Sequence, residues 1–419
     1  MRRVAITGFG VVSPVGVGCA AFWDALRHGR SGIARITRFD CTTFAAHLAG
    51  EVKAMPALPE RVAAVAAEDP KVGFVFGACV EALAGAGVAR LGADTLLHLG
   101  ASLEILDPSK LIHNGRPDLP ATVTALLRGD IAVGQVPLDA ATMLVREAFG
   151  QPRQALTNCS ACAVGAQALG HGFRNVRAGR FETAVCGGFD SLVNCNGIGG
   201  FQLLGALTTD NARGAHACRP FDANRRGTVL GEGAAVAVLE PLERAKAEGK
   251  HILAEVCGYG STLDAYSLTA PDPDGDGAAR AMRAALDDAG LPAGEIAHIN
   301  THGTGTLLND EVEALAIRRV FDGVWERIPV SSTKSMTGHM IAAAGVVEVG
   351  ACLLPLLHGV MPPNPCLDKV APRCELNHVT GQAAPFDGEF VLTNSFGFGG
   401  QNATLILRKA DVPATIRFN

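Results

Sequence analysis

Apolar positions fall into two alternating patterns along the chain. Short apolar runs predict strands at Val4–Gly8, Thr183–Cys186, Ala234–Leu239, 254–260, His298–Thr301 and Phe390–Asn394. Between them, apolar residues recur at helical spacing in Ala163–Val176, Gly277–Ala289, Asp310–Val320 and Gly338–Leu357. Strands alternating with helices predict an α/β protein built on mainly parallel sheets with helical cover. The first strand closes on Gly8-Phe9-Gly10, and a second opens a similar series before Gly258-Tyr259-Gly260. This repeat predicts two halves of like topology. The charged stretch 240–250 (EPLERAKAEGK) is the predicted boundary, dividing the chain at about 1–250 and 251–412. Residues 51–140 show no strong strand and read as helices and loops inserted over the first half.

Composition narrows this picture. A chain of 419 residues with 48% hydrophobic and 18% charged residues has ample material for a large interior, which excludes disorder as its main state. A formal charge of −5 gives no global electrostatic case for nucleic acid. No stretch reaches the roughly 18 uninterrupted apolar residues of a membrane span. The basic, apolar N-terminus (MRRVAITGFGVV) reads as a first strand rather than a signal peptide, because a Gly-rich turn follows and no cleavage site stands out. The 12 cysteines are scattered, and Cys79, Cys186, Cys257 and Cys352 sit in apolar runs as small hydrophobes. A reducing cytoplasm is the expected setting.

Four segments carry candidate chemistry. In Thr157-Asn158-Cys159-Ser160-Ala161-Cys162-Ala163, a Cys lies at a strand-to-helix turn, where amides and helix dipole favour a thiolate nucleophile. Simple burial and a Cys159–Cys162 redox pair remain open on these residues, while no second pair with zinc spacing exists. His302 stands in Asn300-Thr301-His302-Gly303-Thr304-Gly305-Thr306, ahead of a helix carrying Asp310, Glu311 and Glu313. A lone loop histidine is commonly surface decoration, but these glycines allow close backbone approach and the threonines can hold a polar cofactor arm. Lys334 and His339 lie in Ser331–His339, between an apolar strand and a small-residue helix that bears Glu348; the Walker pattern is absent. Finally, Asn394-Ser395-Phe396-Gly397-Phe398-Gly399-Gly400 can present backbone N–H groups to an oxyanion, with its aromatics shaping a pocket.

In this order the four segments resemble the elongating β-ketoacyl-acyl-carrier-protein synthases, condensing enzymes of the thiolase superfamily. The resemblance runs from Met1 to about Lys409 and is weakest in 55–130. It implies a thiolase-like fold, two similar α/β halves in a five-layered αβαβα arrangement. It places the family's Cys-His-His triad on Cys162, His302 and His339, with Lys334 and Glu348 orienting the histidines. Phe398 matches the gating aromatic whose N–H completes the oxyanion hole. Asp264-Ala265-Tyr266, Thr269, Thr304 and Thr306 match the phosphopantetheine tunnel, and Phe396 and Phe201 are expected to border the substrate. The implied reaction is decarboxylative condensation of an acyl chain with malonyl-acyl carrier protein, in fatty acid synthesis or, preferentially, specialised polyketide or polyene synthesis. It needs no metal or redox cofactor. The implied partners are acyl carrier protein and a second subunit, identical or related, with the strand at Thr183–Gly187 in the interface. A coenzyme-A thiolase and a non-catalytic partner that sets chain length are the rivals.

The sequence also departs from the family. Residues 55–70 keep only Arg61 where a Lys/Arg-rich carrier-docking helix is common, Arg226 stands where Asp is usual, and Cys159 is not a usual family residue. Docking is therefore expected on another patch that includes Arg213, Arg219, Arg225 and Arg226, or on a partner subunit; Arg225 and Arg226 could equally serve as internal ion-pair residues.

Overall fold

The computed structural model describes residues 1–103, 112–113, 116–130 and 136–411. The first half supplies strands β1 (Val4–Ser13), β2 (Thr95–Gly100), β3 (Gln154–Asn158), β4 (Thr183–Ser191) and β5 (Glu232–Pro241). The second supplies β6 (Ala254–Leu263), β7 (Ile296–Asn300), β8 (Pro329–Ser331), β9 (Phe390–Gly397) and β10 (Gln401–Arg408). Their spatial order is β3-β2-β4-β5-β1 in the first half and β8-β7-β9-β10-β6 in the second. Each half thus repeats the order third, second, fourth, fifth, first. The two meet through a short antiparallel ladder of Val4–Ile6 against Ala254–Val256.

The sheets are mixed rather than mainly parallel. In each half the three outermost strands run parallel, while the fourth, fifth and first pair antiparallel. One strand of the first sheet, Thr95–Gly100, arises within 51–140, where none was expected. Its apolar run is interrupted by His98, which hides the pattern. Residues 104–111, 114–115 and 131–135 of that stretch lie outside the described residues.

Five helices matter for the site: α1 (Pro70–Gly85), α2 (Val164–Arg177), α3 (Asp276–Ala289), α4 (Leu307–Val320) and α5 (Ala344–His358). α1 covers the outer face of the first sheet and α3 that of the second, with α4 packed on α3. α2 and α5 touch each other and strands of both sheets, so they form the middle of five layers. Among the described residues the three largest apolar cores fill the spaces, one around the middle helices and one under each outer layer.

The Gly-aromatic-Gly repeat has a packing cause. It lies inside β1 and β6 rather than ending them, because both strands continue to Ser13 and Leu263. A Cβ on Gly10 would come within 2.1 Å of Ala78 O on α1, and one on Gly260 within 2.0 Å of Ala281 O on α3. Bare glycine lets each outer helix rest its backbone on the strand. The intervening aromatics point the other way, Phe9 onto Gly350 of α5 and Tyr259 onto Gly170 of α2.

The helix expected over Gly338–Leu357 begins later, at Ala344, because Gly338 (φ 70°) and Ile341 (φ 44°) interrupt it. With its preceding turn it forms an apolar run, Ile341–His358, long and apolar enough to cross a membrane by composition alone. That run is 89% buried between the two sheets, which accounts for its composition. The strand proposed for a subunit interface, Thr183–Gly187, is buried and paired on both sides, by β5 and by β2. The free edge of the first sheet is β3.

Candidate active site

Cys162 sits on an elbow. After β3 the chain turns through Ala161, whose φ of 48° is the left-handed region, then makes one 3-10 turn (Ala161–Ala163) into α2. A non-glycine residue there costs on the order of 1–3 kcal/mol, strain of the kind found at functional positions. The elbow buries Cys162 at the start of the helix and aims its sulfur into a cavity. His339 Nε2 lies 3.1 Å from Cys162 Sγ.

His302 follows β7, and acids of α4 hold its loop. Glu313 accepts from the N–H groups of His302 and Gly303, each at 2.8 Å, and Asp310 from those of Thr304 (3.1 Å), Gly305 (3.2 Å) and Phe221 (2.7 Å). These two positioning acids were missed from sequence as functional; their signal was two acids in the first turns of a helix that follows a Gly/Thr-rich loop. Burial pushes the Glu313 carboxyl up to about 7, against the pull of the N–H groups it accepts from. Lys334 Nζ donates to His302 O (2.5 Å) and to Glu348 Oε1, and lies 3.3 Å from His302 Nδ1. The three protons of the ammonium are thereby used.

Both histidines are consequently fixed in one tautomer. Nδ1 of His302 faces the Lys334 ammonium, and Nδ1 of His339 faces the Ile341 N–H at 3.3 Å. A nitrogen that accepts carries no proton, so in each neutral ring Nε2 is the N–H. Burial, with the Lys334 charge beside them, holds both histidines well below their usual range, so both are neutral at pH 7. The rings stand edge to face at 5.2 Å, with Phe396 at 5.9 Å from His302.

Cys162 departs from the sequence expectation of a helix-enriched thiolate. Burial pushes its thiol up to about 12, although the Lys334 charge and the N–H groups of Phe398 and of Cys162 itself all favour the anion. Desolvation by burial outweighs the helix end. A raised pKa means that the thiolate fraction climbs with pH throughout the neutral range. In a Cys159→Ser background, alkylation of Cys162 by iodoacetamide is expected to quicken roughly tenfold per pH unit between about pH 7 and 9; a plateau reached below pH 7 would contradict this.

The cavity measures about 590 Å³ and runs from Cys162, His302 and His339 past Thr304, Thr306 and Thr269 to solvent. Phe201 and Phe398 stack across it at 5.8 Å, and the Thr304 and Thr306 hydroxyls share a 2.9 Å hydrogen bond. Asp264 lines the cavity, whereas Tyr266 is exposed and outside it. The mouth carries the exposed side chains of Leu204, Leu307, Leu308 and Arg226. Cys159 is exposed and donates to Ser102 O at 3.0 Å.

Atoms of Cys162, His302 and His339 that could ligate a metal lie within 4.8 Å of one another. For a metal to bind, both Nε2 protons would have to leave, with Nδ1 already facing a donor on each ring and the Lys334 charge alongside. The donor set is thus arranged for hydrogen bonding to a substrate rather than for a cation.

Two arginines proposed for carrier docking are internal. Arg219 pairs with Asp222 (3.0 Å) and Asp368 (2.7 Å), and Arg225 with Asp310 (3.6 Å) and Glu311 (3.1 Å), both guanidinium side chains being only 3% exposed. Arg225 also donates to Thr306 O and Leu307 O, tying the cavity wall to the Asp222 turn. Only Arg213 and Arg226 remain exposed. Arg225→Ala is expected to cost about 3–5 kcal/mol of stability, because it removes the buried cation beside Asp310, leaving that charge to hydrogen bonds alone, and frees the carbonyls of Thr306 and Leu307. Thermal unfolding checks this; an unchanged Tm with a raised KM for carrier protein would return Arg225 to the surface role.

Comparison with known proteins then decides the family. The β-ketoacyl synthase N-terminal domain matches residues 1–245 and the C-terminal domain residues 253–368. The chain belongs to the β-ketoacyl synthase family. It is similar to the Synechocystis 3-oxoacyl-[acyl-carrier-protein] synthase 2, at 36% identity over 97% of this chain and 98% of that protein. Among solved structures it resembles the ishigamide ketosynthase/chain length factor, with TM-score 0.83, 34% identity and coverage of 98% and 99% of the two chains. It also resembles a type II polyketide ketosynthase, AntDE, solved with its acyl-carrier protein AntF, with TM-score 0.84, 29% identity and coverage of 98% and 100%. These ketosynthases carry the thiolase-like fold, and the chain is a condensing acyltransferase.

Proposed function

We propose that Cys162 is the nucleophile, and His302 and His339 the hydrogen-bond donors, of a decarboxylative condensation on carrier-bound thioesters. The observation that carries this is the pair of neutral histidines that line the cavity holding Cys162, each with Nδ1 occupied and its proton on Nε2, the His339 Nε2 lying 3.1 Å from Cys162 Sγ. Cys162 Sγ attacks the carbonyl carbon of an acyl thioester on the phosphopantetheine arm of acyl carrier protein. The N–H groups of Cys162 and Phe398, which already face the sulfur, hold the oxyanion; the carbon–sulfur bond to the arm then breaks, and the proton that Cys162 gives up goes to the departing sulfur, so the arm leaves as a thiol. Malonyl-carrier protein then places its thioester carbonyl against the two Nε2–H groups. The bond to its carboxylate breaks, carbon dioxide departs, and the electron pair forms an enolate stabilised by those donors. The enolate carbon attacks the acyl-Cys162 carbonyl, the carbon–sulfur bond breaks, Cys162 leaves as a thiolate that takes up a proton from solvent, and a β-ketoacyl chain two carbons longer remains on the carrier. Lys334, tied to Glu348, orients His302 and transfers no proton.

Thr304, Thr306 and Thr269 border the arm, and Phe201, Phe396 and Phe398 border the acyl group. Carrier protein docks at the mouth on Leu204, Leu307, Leu308 and Arg226 instead of the buried arginines. A two-fold pairing through the free edge of β3, with an identical or related subunit, suits the exposed backbone there. The halves 1–250 and 251–412 are the two structural units. A reducing, cytoplasmic setting suits twelve cysteines none of which is in a disulfide. We place the reaction in specialised polyketide or polyene synthesis, supported by the loss of basic residues at 55–70. Retention of Cys162, His302 and His339 argues against the chain-length-setting partner. Carbon dioxide release from malonyl-carrier protein tests the assignment: a condensing enzyme releases it, whereas a non-catalytic partner and a non-decarboxylating thiolase do not.

A further inference from the structure

The elbow that carries Cys162 has a twin. Ile341, with φ 44°, opens a 3-10 turn (Ile341–Ala343) into α5, as Ala161, with φ 48°, opens Ala161–Ala163 into α2. Gly165 and Gly345, each at the same step beyond its elbow, let the elbows and helices interlock: a Cβ on Gly165 would lie 2.8 Å from Ala342 O, and one on Gly345 2.6 Å from Ala166 N. This equivalence puts Ala342 in the place of Cys162. The strand ends beside the elbows are twins too, Phe396-Gly397 closing β9 and Phe189-Asp190 near the end of β4.

At the first elbow, Gly397 leaves space beside the Cys162 N–H; even a Cβ there would lie only 3.0 Å from that nitrogen. At the second, the corresponding N–H is taken. Asp190 Oδ2 accepts from Ala342 N at 3.0 Å and Oδ1 from Ser191 N at 3.0 Å, and the side chain is fully buried. Gly188 on the same strand admits the Ala342 carbonyl, where a Cβ would come within 2.3 Å. The charged or titratable groups facing Asp190 are Lys71, which is ion-paired with Asp69 at 2.6 Å and bonded to Leu103 O, and the Cys162 thiol. Asp190 touches no substrate position, and the mechanism above gives it no step.

We propose that Asp190 is a positioning residue: its carboxylate permanently fills the anion hole of the second elbow and so fixes His339 as an Nε2–H donor. The link is one residue long. Asp190 anchors Ala342, and the preceding N–H, that of Ile341, meets His339 Nδ1 at 3.3 Å. His339's own backbone is held separately, by Val229 O (2.7 Å) and Gly231 N (2.9 Å), so the elbow governs the ring's protonation pattern rather than its place in the chain. His302 takes its tautomer from Lys334 and is independent of Asp190.

Nitrogen-15 NMR of histidine-labelled full-length protein, combined with malonyl-carrier decarboxylation, tests this. Asp190→Ala is expected to turn His339 into a mixture of tautomers while His302 keeps its Nε2–H signal. Decarboxylation kcat should fall roughly 10- to 100-fold at constant KM, the cost of a misplaced donor. Asp190→Asn, whose carbonyl can still accept from Ala342, should restore the His339 signal and most of kcat. An unchanged His339 tautomer and kcat in Asp190→Ala would overturn the proposal, as would an Asn variant as impaired as the Ala variant. If Asp190→Ala does not fold, the His339 signal of Asp190→Asn decides, a retained single tautomer supporting the proposal and a mixture contradicting it. The inference rests on the proposed reaction, but the NMR readout does not. Absent decarboxylation in the unmodified protein would defeat the reaction and leave the tautomer result standing.

Discussion

Cys162→Ala is expected to abolish condensation, with a loss in kcat of about 10⁴-fold or more, the scale seen when a covalent nucleophile is removed. No acyl-enzyme can form without the sulfur, and among the described residues no other cysteine has His339 Nε2 beside it, as Cys162 Sγ does at 3.1 Å. Cys159→Ser should keep most activity, because Cys159 is exposed and its thiol only caps the Ser102 carbonyl. Turnover of acyl- and malonyl-carrier proteins measures both variants. A redox pair would behave otherwise, losing activity with either cysteine and showing a reversible Cys159–Cys162 disulfide. Comparable losses from the two single variants would therefore exclude the condensing mechanism.

The second large effect separates decarboxylation from acyl transfer. In a Cys162→Gln background the enzyme cannot be acylated, yet both Nε2–H donors remain, so carbon dioxide release from malonyl-carrier protein should persist. Adding His302→Ala or His339→Ala should lower that release by about 10²–10³-fold each, the scale for losing one donor to a developing oxyanion in a dry site. The pH dependence follows from the same groups. Burial lowers both histidines, so they stay neutral from pH 8 down past their ordinary range, and decarboxylation should show no acid limb near pH 6.5. A limb there accompanied by an imidazolium signal from His302 or His339 would mean that a ring becomes a cation during normal operation, contrary to the buried arrangement with Lys334, whereas a limb without that signal would belong to Glu313, whose buried carboxyl sits at about 7.

Much of this was readable in the chain. Cys162, His302, Lys334, His339 and Phe398 each sit in a short polar or glycine-rich segment that marks a candidate, while the choice of Cys162 over Cys159 and the role of each residue come from the resemblance to the condensing enzymes. The Gly-aromatic-Gly repeat was visible too, although its cause is a pair of helices resting on bare strand backbone rather than a turn. What escaped depends on tertiary neighbours. Arg219 looks like a surface charge, and Arg225 reads equally as surface or internal, until Asp222, Asp368, Asp310 and Glu311 are seen around them. Glu313 and Asp310 read as ordinary helix acids, because the N–H groups they hold belong to a loop whose path no periodicity reveals. The thiolate expectation at Cys162 followed from the helix end, a local feature, and lost to desolvation, a property of the whole interior. Asp190 was silent for the same reason, since its partner, Ala342, comes from the other half of the chain.

The most direct test follows the acyl group itself. The protein is incubated with an acyl-carrier protein, digested, and the mass of the Cys159–Cys162 peptide is read by fragmentation before and after malonyl-carrier protein is added. The account predicts an acyl adduct on Cys162 only, discharged on addition with one carbon dioxide released per β-ketoacyl chain formed. An adduct on Cys159, or an acyl-Cys162 that survives malonyl-carrier protein without carbon dioxide release, would contradict it.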